Sequence, residues 1–181
     1  MGRARFYIML YLLAYIATIP AANWMIGHVG TVCLADGPCL IPVWPGITAP
    51  SGVLMAGAAL VLRDMVQFRL GKRWGLTAIA IGAGLSALVA PPALVIASTI
   101  AFLLSELADF VVYTPLAARR LVTAVILSGI VGTVIDSVVF LGLAFGSLAH
   151  LEGQIIGKAW MVLFAAPLIK LLRTRREHKP V

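Results

Sequence analysis

Six apolar runs separated by short connections leave this chain of 181 residues little material for anything except membrane-spanning helices. Hydrophobic residues make up 61% of the sequence and charged residues 12%, whereas a soluble domain has roughly 45–50% and about 25%. This composition excludes an ordinary soluble enzyme, a disordered tail and a nucleic-acid-binding module. At about 20 residues per crossing, we predict membrane spans at about 6–26, 50–65, 74–89, 93–116, 121–145 and 155–172.

The predicted fold class is an all-α integral membrane protein, a compact bundle of six transmembrane helices that forms one domain over residues 1–181. Thirteen of the fourteen Lys and Arg residues fall on one side of this arrangement. They are Arg3, Arg5, Arg63, Arg69, Lys72, Arg73, Arg119, Arg120, Lys170, Arg173, Arg175, Arg176 and Lys179. Because basic residues in short loops mark the cytoplasmic face, we expect both termini inside the cell, in the bacterial cytoplasmic (inner) membrane. The first run also has features of a secretory signal peptide, whose removal would leave an odd number of spans.

One long connection, from about Gly27 to Ala49, lies on the opposite side and is rich in Gly and Pro. Its apolar stretch from Cys39 to Pro45 is expected either to lie on the lipid headgroups or to fold back onto the protein as a lid. Cys33 and Cys39 would face an oxidising compartment, which permits either a disulfide or two free thiols. Two cysteines without further ligands do not predict a zinc site, and no metal or cofactor is expected.

Four ionisable side chains lie inside the predicted spans: Glu106, Asp109, Asp136 and Lys158. An isolated charge near the bilayer centre costs on the order of 2.5–3.5 kcal/mol, so such groups normally face a bundle interior or a watery cavity. At 1.5 Å per residue, Glu106 and Asp136 lie about 21–22 Å from the predicted starts of their spans. Their short side chains cannot reach water from that depth, so we expect both near the midplane and turned inward.

Neighbouring residues extend this polar centre. Ser105 borders the helix face shared by Glu106 and Asp109, and Ser137 follows Asp136. Lys158 is expected either to pair with a carboxylate or to extend its long side chain towards the outer surface. The predicted spans contain three acids and one base, so mutual pairing cannot neutralise all of the acids. This excess favours a substrate or ion path.

One further acid remains ambiguous at this stage. Asp64 lies beside Arg63 at the predicted end of the second span, where either a helix-end ion pair or a functional role fits.

The segments that carry these charges resemble the signatures of the queuosine precursor transporter family, also called the vitamin uptake transporter (VUT) family. Residues 96–102, leading into 105–109, resemble its "AS…AF…S(Q/E)…D" signature. A companion signature, a Gly and then "DS…F…AF", is matched by Gly132, Asp136, Ser137, Phe140, Ala144 and Phe145. Residues 64–71 and 157–158 resemble two shorter motifs. The chain departs from the family at Arg63, where a small polar residue usually precedes the aspartate, and in its very short connection after the third span.

The resemblance implies a transporter, not an enzyme, that imports a 7-deazaguanine base such as preQ0, preQ1 or queuine. By that similarity, the substrate-binding residues are Glu106, Asp109 and Asp136, and the predicted site also includes Ser105, Ser137, Phe102, Phe140 and Lys158. A carboxylate accepts two adjacent N–H donors of such a base at once, and aromatic side chains can stack on its flat ring. Tyr113 and Trp160 are further aromatic candidates.

Three other functions stay open at this stage. They are a substrate-capture subunit of an energy-coupling vitamin importer, a membrane enzyme that uses the buried acids, and a proton or ion channel. The expected partners are a small-molecule substrate and the lipid bilayer, with no nucleic acid. The sequence leaves open whether the protein forms a homodimer and whether transport is coupled to protons.

Overall fold

Six α-helices and one small β-sheet form the described part of the chain in a computed structural model. The structure describes the backbone of residues 2–35 and 37–177, and the side chains of residues 9–35 and 37–165. The helices are α1 (Gly2–His28), α2 (Val53–Leu70), α3 (Lys72–Val89), α4 (Val95–Ala117), α5 (Leu121–Phe145) and α6 (Leu151–Glu177). Among the described residues, three stretches are long and apolar enough to cross a membrane: Met9–His28, Pro92–Ala117 and Leu121–Phe145.

Glycine and proline residues set several of the helix ends. Gly71 alone separates α2 from α3, with a φ of 93° that L side chains rarely adopt, so these two helices form a tight hairpin. Gly146 ends α5 in the left-handed conformation, where glycine is favoured. Pro91 and Pro92 break the chain between α3 and α4, and Pro92–Leu94 forms a short 3₁₀ turn there.

The second helix is longer than the sequence predicted. It continues to Leu70 rather than ending near Met65, because Arg63 and Asp64, which indicated its end, are buried inside the protein. Arg63 is therefore not a loop residue, and its assignment to the basic side of the membrane is wrong. The fifth predicted span, residues 121–145, coincides with α5.

The connection between α1 and α2 is a three-stranded antiparallel sheet, so the prediction of an all-α fold is wrong at this point. Its strands are β1 (Val32–Cys33), β2 (Cys39–Trp44) and β3 (Ile47–Pro50), paired in sequence order. Cys33 and Cys39 form a disulfide between β1 and β2, which decides between the two alternatives left by the sequence. Strand pairing supplies hydrogen bonds to the backbone of this apolar segment, which would otherwise be costly to bury.

The sheet is anchored to the helices. β2 packs against α1 and α6, and β3 packs against α6. Ser51 Oγ donates a hydrogen bond to the carbonyl oxygen of Met25 at 2.6 Å, and Trp160 Nε1 donates to that of Val43 at 3.1 Å. The connection is therefore folded onto the protein at one end of the helices.

The helix α2 contributes to both hydrophobic clusters of the core. One cluster joins it to α4, α5 and α6 through Val61, Met65, Tyr113, Leu121, Ala124, Val125 and Val162. The other joins it to α1 and α3 through Tyr15, Ile19, Ala59, Val66 and Ala78. This central position of α2 explains why its charged side chains are buried.

Candidate functional site

Arg63 lies at the centre of a buried ionic cluster between α2 and α4. Its Nε donates to Glu106 Oε2 at 2.8 Å, its Nη1 lies 2.8 Å from Asp64 Oδ1, and its Nη2 donates to Asp109 Oδ1. None of these four side chains is more than 1% exposed. We call this group the Arg63 cluster, and it places three acids around one base away from solvent.

Polar and aromatic neighbours fix the geometry of the Arg63 cluster. Ser128 Oγ of α5 donates to Asp64 Oδ2 at 3.3 Å, and Gln67 Oε1 accepts a hydrogen bond from Arg63 Nη1 at 3.2 Å. The Tyr113 ring centroid lies 5.9 Å from the guanidinium carbon, within range of a cation–π contact. A planar guanidinium with several donors suits such a site better than a lysine ammonium would.

Lys158 and Asp136 form a second buried ion pair, between α5 and α6. Lys158 Nζ lies 2.6 Å from Asp136 Oδ2 and donates to Ser137 Oγ at 2.8 Å. The lysine side chain is fully buried, whereas that of Asp136 is 18% exposed. The lysine therefore pairs with a carboxylate and does not extend to the surface.

A cleft with a cavity volume of about 80 Å³ lies beside this second pair. Its wall includes Asp136 together with Phe102 of α4 and Phe140 of α5. Other helices add polar side chains to the lining: Thr18, Asn23, Ser86, Ser98 and Gln154. Among the described residues, Asp136 is the single ionisable side chain of this wall.

The eight predicted site residues fall into three groups in the structure. Those that line the cleft are Asp136, Phe102 and Phe140. Those that contact Asp136 or its lysine partner are Ser105, Ser137 and Lys158. Glu106 and Asp109 belong instead to the Arg63 cluster, and neither is among the described residues that line the cleft. The single polar centre expected from the sequence is therefore two centres.

The two further aromatic candidates, Tyr113 and Trp160, are not among the described residues that line the cleft. Tyr113 packs against Arg63, and its hydroxyl donates to the Asp64 carbonyl oxygen at 3.2 Å. Trp160 stacks between Trp44 and Phe164, with 6.0 Å between ring centroids in each pair.

Arg63 was not predicted to belong to the buried centre, although two features of the sequence indicate it. The next helix-breaking residue is Gly71, and a helix that continues to it places Arg63 about 10 Å inside its end at 1.5 Å per residue. The excess of acids over bases was the second signal, since a buried charge without a partner is strongly unfavourable. Because the predicted second span ended at its first charged residues, Arg63 was assigned to the loop and not to the interior.

The fold and the site together define a helical membrane protein with ionisable side chains held inside its bundle, a feature that marks substrate and ion paths. Residues 86–174 match the model of a family described as "Putative vitamin uptake transporter". The matched segment is just under half of the chain and includes α4, α5 and most of α6, with Glu106, Asp109, Asp136 and Lys158. This similarity supports a role in membrane transport, and it confirms the vitamin uptake part of the resemblance found in the sequence motifs. No curated protein and no solved structure matches the chain.

Proposed function

We propose that this protein is an importer of a 7-deazaguanine base, a queuosine precursor such as preQ0, preQ1 or queuine. The family match supports transport, and the motif resemblance supports this substrate class. The observation that carries the proposal is the position of Asp136, a partly exposed carboxylate in the wall of a cleft that Phe102 and Phe140 also line.

The chemistry of the cleft fits the chemistry of such a base. A 7-deazaguanine presents adjacent N–H donors on its pyrimidine edge, and a carboxylate can accept both. Lys158 and Ser105 contact the two oxygens of Asp136 at 2.6 Å and 3.5 Å, so the carboxylate is oriented before the base arrives. Phe102 and Phe140 offer apolar faces for the ring.

The arrangement of charges supports six spans with both termini in the cytoplasm. The α2–α3 and α4–α5 connections lie at one end of the bundle, because Phe68, Leu116 and Leu121 pack in one cluster there. Arg69, Lys72 and Arg73 flank the first connection within the ends of α2 and α3, and Arg119 and Arg120 lie in the second. The sequence-based assignment adds Arg3, Arg5, Lys170, Arg173, Arg175, Arg176 and Lys179, whose side chains lie outside the described residues. The positive-inside rule then orients this end towards the cytoplasm.

The position of the cleft is consistent with import. Its lining includes Ile26 near the end of α1, Pro50 at the end of β3, and Gly52 and Val53 where α2 begins. These residues adjoin the sheet, at the end opposite the basic connections. In the proposed orientation, the cleft lies in the outer half of the bundle, where a substrate arrives.

Binding measurements on a balanced pair of substitutions test the proposal. The parent is expected to bind a 7-deazaguanine base in detergent, with no comparable binding of adenine. In Asp136→Asn/Lys158→Met, which removes both charges of the pair, the affinity is expected to fall by about 1.5–3 kcal/mol, the range for hydrogen bonds to a charged group. Glu152→Gln, which neutralises an exposed carboxylate, is the matched control. Unchanged affinity in the folded double variant would remove Asp136 from the substrate site, and a parent that binds none of these bases would refute the substrate class.

A further inference from the structure

We propose that import is coupled to protons and that the Arg63 cluster is the proton-binding site, separate from the substrate cleft. The inference rests on the proposed function and adds the energy source to it. Arg63, Asp64, Glu106 and Asp109 are absent from the described residues that line the cleft. These four residues can therefore bind a proton while Asp136 binds the base.

The charges of the Arg63 cluster do not balance. Three carboxyl groups surround one guanidinium at no more than 1% exposure, so full ionisation would bury two uncompensated negative charges. Lys158, the other buried base among residues 9–35 and 37–165, is paired with Asp136. In the described part of the chain, no further Lys, Arg or His forms an ion pair with these acids. The cluster therefore requires additional positive charge.

The contacts within the cluster indicate that this charge is a proton. Asp64 and Asp109 contact neighbouring nitrogens of the same guanidinium, Nη1 and Nη2. Two carboxylates that share one site repel each other, and protonation of one of them relieves this repulsion. Glu106 Oε1 and Asp109 Oδ2 are buried and accept no hydrogen bond from a described donor. Among the described residues, no group of three or more acidic, His or Cys side chains is arranged to hold a metal ion.

The polar groups on the surrounding helices do not supply the positive charge that the Arg63 cluster requires. Tyr15 of α1 donates its hydroxyl to the Ala78 carbonyl oxygen at 3.2 Å, and Tyr113 of α4 donates to the backbone of Asp64. Ser128 of α5 supplies one hydrogen bond to Asp64 but no charge. These groups orient the acids without neutralising them.

A direct link joins the proton site to the cleft. Ser105 lies 3.5 Å from Asp136 Oδ1, and the next residue of α4, Glu106, pairs with Arg63 at 2.8 Å. A base that engages Asp136 therefore acts one residue away from an acid of the cluster. In each transport cycle, one proton binds from the outside together with one base, and it leaves to the cytoplasm after the base. No covalent step is involved, and the protein returns to its starting charge.

The test uses proteoliposomes that contain the full chain and radiolabelled preQ0, with the membrane potential held at zero. Counterflow, the exchange of labelled for unlabelled base without a gradient, reports carriage of the base alone. With one proton per uncharged base, an inward gradient of one pH unit is expected to give about tenfold accumulation, since each pH unit is worth about 1.4 kcal/mol. A protonophore is expected to abolish this accumulation.

Two variants assign the effect to the Arg63 cluster. Asp109→Asn and Glu106→Gln are each expected to reduce gradient-driven accumulation, relative to counterflow, from about tenfold to none. Glu152→Gln is expected to keep the parent ratio. Using two variants guards against one of them failing to fold.

The outcomes separate this inference from the proposed function. Counterflow in the parent without any response to the proton gradient would overturn the coupling and leave the importer intact. Gradient-driven accumulation that persists in either folded variant would overturn the assignment to the Arg63 cluster. Absence of counterflow with every 7-deazaguanine base tested would overturn the importer, and this inference with it.

Discussion

A single guanidinium holds three acids in the Arg63 cluster, with each of its nitrogens directed at a different carboxylate. This contact pattern joins α2 to α4 at a buried point and explains why arginine is suited to the position. A lysine ammonium is a compact point charge on a flexible stem and cannot present the same planar set of donors. The residue therefore matters for stability as well as for charge.

Substitution of Arg63 is the first prediction. Arg63→Gln is expected to lower the free energy of unfolding by about 3–5 kcal/mol, the usual cost of removing one partner from a buried ion pair. Arg63→Lys should lower the free energy of unfolding by less, because it keeps the positive charge. It should still be less stable than the parent, because it loses the multiple contacts. Thermal unfolding of the detergent-solubilised protein measures both, with Arg119→Gln at an exposed position as the control. A stability of Arg63→Gln equal to that of the control would contradict this account.

The second prediction concerns the ion pair of Lys158 and Asp136. Lys158→Met leaves Asp136 unpaired but partly exposed, whereas Asp136→Asn leaves a fully buried ammonium. Asp136→Asn should therefore lower the free energy of unfolding more than Lys158→Met does, since a buried charge without a partner is strongly unfavourable. Lower pH should partly restore Lys158→Met, because the unpaired carboxylate can take up a proton.

The double variant Asp136→Asn/Lys158→Met completes this thermodynamic cycle. It should be more stable than the sum of the two single losses predicts, which unfolding measurements on all four proteins would show. Additive losses would mean that the two side chains are not energetically coupled. Restored folding without uptake would make the pair part of the transport cycle, and restored folding with uptake would make it structural.

At the scale of the helices, α2 packs closely against α6 at the position of Lys158. Gly57 of α2 faces the backbone of Lys158, where an added Cβ would come within 2.9 Å of the Lys158 Cα and 3.1 Å of its carbonyl oxygen. Backbone atoms cannot move aside as a flexible side-chain end can. The glycine therefore sets the distance between these helices.

Gly57→Ala is the third prediction. It should destabilise the protein by about 1–3 kcal/mol, the range for overpacking, and weaken base binding by displacing Lys158 from Asp136. Gly84→Ala is the matched control, since an added Cβ at Gly84 meets no atom within 4 Å. Alanine is favoured over glycine in a helix by up to about 1 kcal/mol, so the control should be neutral or stabilising. Equal effects of the two substitutions on unfolding would contradict close α2–α6 packing.

For the whole molecule, the proposed orientation separates a basic end from an end capped by the sheet. The α5–α6 turn lies near the sheet, because Leu34, Pro38, Phe145 and His150 line one common depression. Glu152 follows this turn at the start of α6 and is exposed. Arg119 is exposed at the α4–α5 connection, at the opposite end.

Cysteine labelling in intact cells supplies the fourth prediction. In a background of Cys33→Ser/Cys39→Ser, Glu152→Cys should react with an impermeant thiol reagent, and Arg119→Cys should react only after the cells are permeabilised. The reason is that basic connections are retained in the cytoplasm. The reverse pattern of labelling would invert the topology and place the cleft in the inner half of the bundle.

The sequence alone determined the class of protein, the order of the helices and the breaks at Pro91 and Pro92. These features depend on local properties, namely the length of apolar runs and backbone restrictions within a few residues. It also placed Glu106, Asp109, Asp136 and Lys158 inside the predicted spans, since a position within an apolar run can be counted along the chain. The end of α2 was missed because a charged residue usually marks the end of a span, and burial of that charge depends on distant partners.

Only the tertiary structure decided which charges meet. Arg63 finds Glu106 and Asp109 at separations of 43 and 46 residues, and no local pattern selects those partners over Asp136. Likewise, the connection from Gly27 to Ala49 becomes a sheet because its strands pair with one another and pack on α1 and α6. Helices are held by hydrogen bonds within four residues, whereas ion pairs, strand pairing and clefts are contacts between distant parts of the chain, which exist only once the helices have packed.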